Sequence, residues 1–220
     1  MGQRFFTSDF HFNDDLTQFD RTEFDSEQSH ITHLLETIGK WADKLNKDKT
    51  NELWVLGDFG DINFLWVMDT FECKKVFVYG NHDKMADYET FKLYFDEVYK
   101  YPTFISNRVL VSHFPQKVWD SQINIHGHLH GVKIDDPHYV CCNVGDNDWK
   151  LFSERQLSGM FNNIDKFQMR FLWEPYAELP QVMLDRCLPR DDVIYNPITK
   201  RLDISASRMK NLCAKTKLVV

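Results

Sequence analysis

Along roughly the first two-thirds of the chain, short apolar runs alternate with segments whose apolar residues recur at helical spacing. "RFFTS", residues 4–8, reads as a strand. Residues 26–45 read as a helix whose apolar side is Ile31, Leu34, Leu35, Ile38, Trp41 and Leu45. Then come "ELWVLG", a helix-like "INFLWVMDTF", "KKVFVYG" and a helix-like "DKMADYETFKLYF", followed by the runs "RVLVSH", "INIHGH" and "YVCCNVG". Strands of continuous apolar character interleaved with helices predict an α/β domain with central strands buried on both faces.

Beyond about residue 162 the period is lost and prolines accumulate. The expected division is a domain over residues 1–162 and a C-terminal extension over 163–220, packed on it and containing a small hairpin around "YNPITKRLDIS". With 43% apolar and 15% aromatic residues, the 220-residue chain can bury a sizeable core. A net charge of −7 argues against a surface given over to nucleic acid, although the last stretch is basic at Lys200, Arg201, Arg208, Lys210, Lys215 and Lys217. Five scattered cysteines without a CxxC pair exclude a disulfide framework or a thiolate zinc site, and Cys141 and Cys142 read as buried strand residues. No stretch is long enough to span a bilayer, so a cytoplasmic location without membrane contact is expected; the oligomeric state is left open.

Nearly every apolar run ends in a polar cluster: "SDFH", "GDFGD", "GNHD", "SHFP" and "GHLH". In open α/β sheets the ligand site lies beyond the carboxyl ends of the strands, so these clusters would meet at one edge. They offer Asp9, His11, Asp58, Asn81, His113, His128 and His130. Oxygen and imidazole donors without sulfur suit Mn²⁺ first, with iron or zinc as alternatives. Seven donors exceed what one catalytic ion needs, and two divalent ions fit if a carboxylate bridges them; Asp58, at a central strand end beside Gly57, is the natural bridge. A centre with residual positive charge would attract a phosphate ester.

These five clusters, in this order over residues 4–152, resemble the signature of the calcineurin-like metallophosphoesterases, and "FTSDFHF" with "FDRTEF" is most similar to compact bacterial and phage members. The resemblance implies a four-layer α/β/β/α sandwich with a dinuclear centre. By the same resemblance one ion would be held by Asp9, His11, Asp58 and His130, and the other by Asp58, Asn81, His113 and His128. It further implies hydrolysis of a phosphodiester or phosphomonoester, of a nucleotide or other small phosphorylated molecule, with water activated on the metals as nucleophile. His82 would face the ester as general acid, with Asn81 beside the substrate, and Asp61 would orient His82. Arg21 in "FDRTEF" is a substrate-contact candidate, its planar fork suited to phosphate oxygens. No arginine follows "GDFGD", which weighs against a protein phosphatase. A nuclease acting on DNA or RNA is the alternative within the enzyme class, and a non-catalytic protein-binding scaffold of the same fold the alternative outside it. His126 reads as a strand residue or outer partner, His30, His33 and His138 as surface or packing residues, and the Trp66, Phe71 and Phe77 region as core.

Overall fold

The computed structural model describes residues 2–19, 21–119, 122–161, 193–196 and 201–204. The chain divides into two compact units, residues 1–166 and 167–220. In the first, the elements in chain order are β1 (Arg4–Thr7), α1 (Glu27–Leu45), β2 (Glu52–Val55), β3 (Lys74–Val78), α2 (Tyr88–Tyr94), β4 (Glu97–Tyr99), β5 (Thr103–Ser106), β6 (Val109–Val111), β7 (Ile123–His126), β8 (Tyr139–Cys141) and β9 (Phe152–Ser153). In the second, β10 (Val193–Asn196) and β11 (Arg201–Ile204) pair antiparallel. The basic positions beyond Ile204, together with Lys200, lie outside the described residues.

Helix α1 forms where its spacing predicts. Ser26 caps its first turn by accepting from Ser29 N, while Ser29 Oγ accepts from Ser26 N in return. Ile31, Leu34, Ile38, Trp41 and Leu45 are buried together with Phe5, Phe10, Leu53 and Phe77. Residues 62–71 depart from the α-helical expectation: Ile62–Thr70 is a 3₁₀ helix. Its inward residues are Leu65, Val67 and Met68.

Two sheets result. The first runs β4-β3-β2-β1-β9, with β1 to β4 parallel and β9 antiparallel on the edge. The second runs β5-β6-β7-β8, with β6, β7 and β8 parallel. The period of two along each strand sorts residues between faces. Phe5, Leu53, Val55 and Phe77 turn toward the helices, whereas Phe6, Trp54, Val76 and Val78 share a core with Val109, Val111, Ile123, Ile125 and Val140 of the second sheet. Helices, sheet and second sheet are thus stacked, a mixed α/β architecture with two largely parallel sheets. The short strands β4, β5 and β9 add to the runs legible in the sequence.

Cys73, Cys141 and Cys142 carry free thiols. Phe71 and Phe77 are core residues as expected, but Trp66 is half exposed because it lies on the outer side of the 3₁₀ helix. No described helix is long and apolar enough to cross a membrane.

Candidate metal centre

Parallel strands deliver their carboxyl ends to the same side, and five of them do so here. Asp9 and His11 follow β1, Asp58 follows β2, Asn81 and His82 follow β3, His113 follows β6, and His128 and His130 follow β7. The loops after β1 and β2 run side by side, joined by Asp9 N to Gly57 O (3.0 Å) and His11 N to Asp58 O (3.1 Å). The two sheets are joined at this edge by His128 N, which donates to both carboxylate oxygens of Asp9 at 3.1 Å. The aromatic partners in "DFHF" and "GDF" point the other way: Phe10, Phe12 and Phe59 are fully buried and pack on one another. Asp9, His11, Asp58 and His128 all have positive φ (60°, 49°, 53° and 67°), a region that non-glycine residues occupy at a cost. Such strain persists only where the surroundings over-determine it.

The ligand atoms form two groups, Asp9 with His11 and His130, and Asp58 with His113 and His128, each compact enough to hold a metal ion. In the first, His130 Nε2 is 3.4 Å from Asp9 Oδ1 and 3.3 Å from His11 Nε2. In the second, His113 Nε2 is 3.2 Å from Asp58 Oδ2 and 2.9 Å from Asn81 Oδ1. Asp58 Oδ2 also lies 3.6 Å from His11 Nε2, so one oxygen faces both groups. Its other oxygen accepts from His82 N at 2.9 Å. Asp9 divides its oxygens similarly: Oδ1 faces the histidines, and Oδ2 accepts the hydroxyl of Ser8. Gly80 and Gly127 permit this closeness, because a Cβ at either would collide with the carboxylate of Asp58 or Asp9.

Asp9 and Asp58 are almost completely buried, and among the described residues neither carboxylate forms an ion pair with Lys or Arg. Buried charge without a partner is costly. The histidines answer part of it. Burial pushes the Asp9 carboxyl upward, but the imidazoles of His11 and His130 outweigh it and hold that group well below the usual carboxylate range. Burial pulls the His113 ring downward, and the adjacent Asp58 overrides it and raises it to about 9. Two carboxylate oxygens, one amide oxygen and four imidazoles crowded at one edge form a donor set that fits divalent cations.

The remaining expected residues divide. His82 is exposed at the mouth, its ring edge-on to His11 (5.1 Å between centroids) and to Phe19 (5.2 Å). Asp61 does not orient it: the Asp61 carboxylate accepts from Asn63 N and Asn13 Nδ2, capping the 3₁₀ helix, and makes no hydrogen bond to His82 among the described residues. A side chain committed to the turn after β2 is aimed along that helix. Arg21 does not face a substrate either. It is 2% exposed, donates from Nη2 to Asp9 O at 2.7 Å and lies over the Trp149 ring at 4.9 Å, so it props the Asp9 backbone from behind. His126 is a buried strand residue bonded to Gly127 O, its ring pushed down to about 4 by burial.

Several contributors escaped the sequence reading. Asp83 accepts three backbone N–H groups, from Asp58 (2.8 Å), Phe59 (2.9 Å) and Gly80 (2.7 Å), and ties the ends of β2 and β3 together. Burial and the nearby Asp58 push its carboxyl up to about 6. It is the last letter of "GNHD", and that position was its only trace in the sequence. Phe19 stacks on His11 at 3.6 Å from the connection between β1 and α1, and Asn143, two residues beyond β8, sits 3.1 Å from His130 Nδ1.

Neither protein-family models nor curated proteins match this sequence. Among solved structures, the chain is similar to a protein of unknown function, AQ665 from Aquifex aeolicus, with 26% identity and a TM-score of 0.55 over 73% of this chain and all of that one. It also aligns with an archaeal phosphodiesterase at 15% identity and a TM-score of 0.42, over 69% of this chain and 98% of that one.

Proposed function

We propose that this chain is a calcineurin-like metallophosphoesterase, a four-layer α/β/β/α sandwich that hydrolyses a phosphodiester or phosphomonoester of a nucleotide or other small phosphorylated molecule at a pair of divalent metal ions. The observation that carries this reading is the single Asp58 oxygen facing both ligand groups, 3.2 Å from His113 and 3.6 Å from His11. A carboxylate so placed could be shared between two ions. Asp9, His11 and His130 would complete one ion's shell, and Asn81, His113 and His128 the other's, with manganese as the leading candidate and iron or zinc as alternatives. When bound, the pair supplies an acidified water and takes up charge developing on the phosphoryl oxygens.

The chain's own part is positioning and proton transfer. His82, exposed at the mouth beside Asn81, reaches toward the ester and gives a proton to the departing alkoxide. Phe19 covers the His11 face and keeps bulk water from that side. Water rather than Ser or Cys would be the nucleophile, so no phosphoenzyme is expected.

The test is a Mn²⁺-reconstituted screen of bis-aryl phosphate, mono-aryl phosphate, cyclic nucleotides and DNA. Asp58→Ala should abolish turnover and metal uptake together. His82→Ala should retain the metal and lose about 10²–10⁴-fold in kcat. A metal-replete wild type inactive on every ester would overturn the enzyme reading in favour of a scaffold.

A further inference from the structure

His11 belongs to two groups of potential ligands at once. Its Nε2 faces Asp9, Asp58 and His130, and its Nδ1 faces Asp14, with His82 nearby. A neutral imidazole has one N–H and one lone pair, so it can serve only one side as a metal ligand. The Nδ1 to Asp14 Oδ2 distance is 2.8 Å, a well-formed hydrogen bond, and an ionised carboxylate only accepts. The proton therefore belongs on Nδ1 and the lone pair on Nε2.

Asp14 is held where it can do this. The chain turns tightly after His11, with Asn13 at φ 59° and Asp14 N donating back to His11 O. The Asp14 side chain is 29% exposed while that of His11 is fully buried, so the carboxylate pays little desolvation and reaches inward to a ring that cannot turn away. Phe19, from the same connection between β1 and α1, lies nearly parallel on the ring at 16° and blocks a flip.

We propose that Asp14 is a positioning residue that fixes the tautomer and orientation of His11, and so sets the affinity of the Asp9–His11–His130 group for its cation while leaving the Asp58–His113–His128 group alone. The affinity half rests on the metallophosphoesterase reading above; the tautomer half does not. Outer carboxylates of this kind typically account for about 10–100-fold in metal affinity.

The experiment uses the full-length protein. Long-range ¹H–¹⁵N correlations of the metal-free protein, at a pH above the titration of the His11 ring, report which nitrogen is protonated. Mn²⁺ calorimetry reports the binding steps. In Asp14→Ala the His11 proton should move from Nδ1 to a mixed or Nε2 population, and one Mn²⁺ step should weaken about 10–100-fold with the other unchanged. Asp14→Asn keeps an acceptor oxygen and should restore the Nδ1 proton and most of the affinity. An alanine variant with the wild-type tautomer and both affinities intact overturns the proposal, as does equal weakening of both steps. A wild type that takes up none of Mn²⁺, Fe²⁺ and Zn²⁺ overturns the metallophosphoesterase reading instead, and the tautomer spectrum then still decides whether Asp14 holds His11.

Discussion

Arg21 shows how one side chain can be visible in a sequence and still be misassigned. An arginine near a cluster of metal-ligand types suggests a phosphate contact; its burial cannot be read from "FDRTEF". In the fold its Nη1 packs against Gly145, its Nη2 holds the Asp9 carbonyl, and Nε has no hydrogen-bond partner among the described residues. Lysine can reproduce the charge but neither the planar stacking on Trp149 nor the fork. Arg21→Lys should therefore destabilise the protein by about 2–4 kcal/mol, read as a lowered urea midpoint. A midpoint within error of wild type would contradict the buried-prop role. By contrast Asp9, His11, Asp58, Asn81, His113, His128 and His130 were legible because each follows an apolar run. Asp83 and Asp14 were not, since a carboxylate that accepts backbone N–H groups or a histidine ring carries no spacing of its own.

At the level of elements, helix α1 was readable from its cap and its apolar stripe, and His30 is one of the packing residues expected on it. His30 lies on the inward face, 1% exposed, with neither ring nitrogen partnered among the described residues, and packs against Phe24 and Trp149. Burial, assisted by Arg21, lowers its ring from 6.5 to about 3. The sign follows directly. A folded pKa below the unfolded one favours the native state fully above pH 6.5, and that contribution is lost as pH falls from 6.5 toward 3, by at most about 1.4 kcal/mol per unit. Comparing chelator-treated wild type and His30→Leu in urea at pH 7, 6 and 5 should show wild type losing ground to the variant at each step. Parallel curves would mean that His30 is not held neutral. The 3₁₀ helix Ile62–Thr70 could not be told from an α-helix by pattern, because over nine residues periods of 3 and 3.6 place nearly the same positions inward.

For the molecule as a whole, the alternation of strands and helices predicted an α/β fold. The split of the strands into two sheets was expected from the family resemblance and not from the apolar runs themselves, because continuous apolar runs say that both faces are covered without saying by what. Phe6, Trp54, Val76 and Val78 meet a second sheet where helices would have satisfied the pattern equally well. The consequence for stability is testable. Asp9 and Asp58 are buried near each other at the ends of β1 and β2, so on the metallophosphoesterase reading removing the cations should expose mutual repulsion there. Stripping with chelator should lower the thermal midpoint, and Mn²⁺ at a hundredfold its dissociation constant should restore about 2.7 kcal/mol. An unchanged midpoint on chelation and readdition would mean that the native state takes up no Mn²⁺ in preference to the unfolded one.

The bond from His128 N to Asp9 joins residues 119 positions apart, and it has a temporal meaning. A ribosome makes the first ligand long before the last, so a nascent chain that has emerged only through β6 lacks both His128 and His130. On the metallophosphoesterase reading, the full set of ligands is thereby deferred until His130 has been made, and a product ending before β7 would lack His128 and His130.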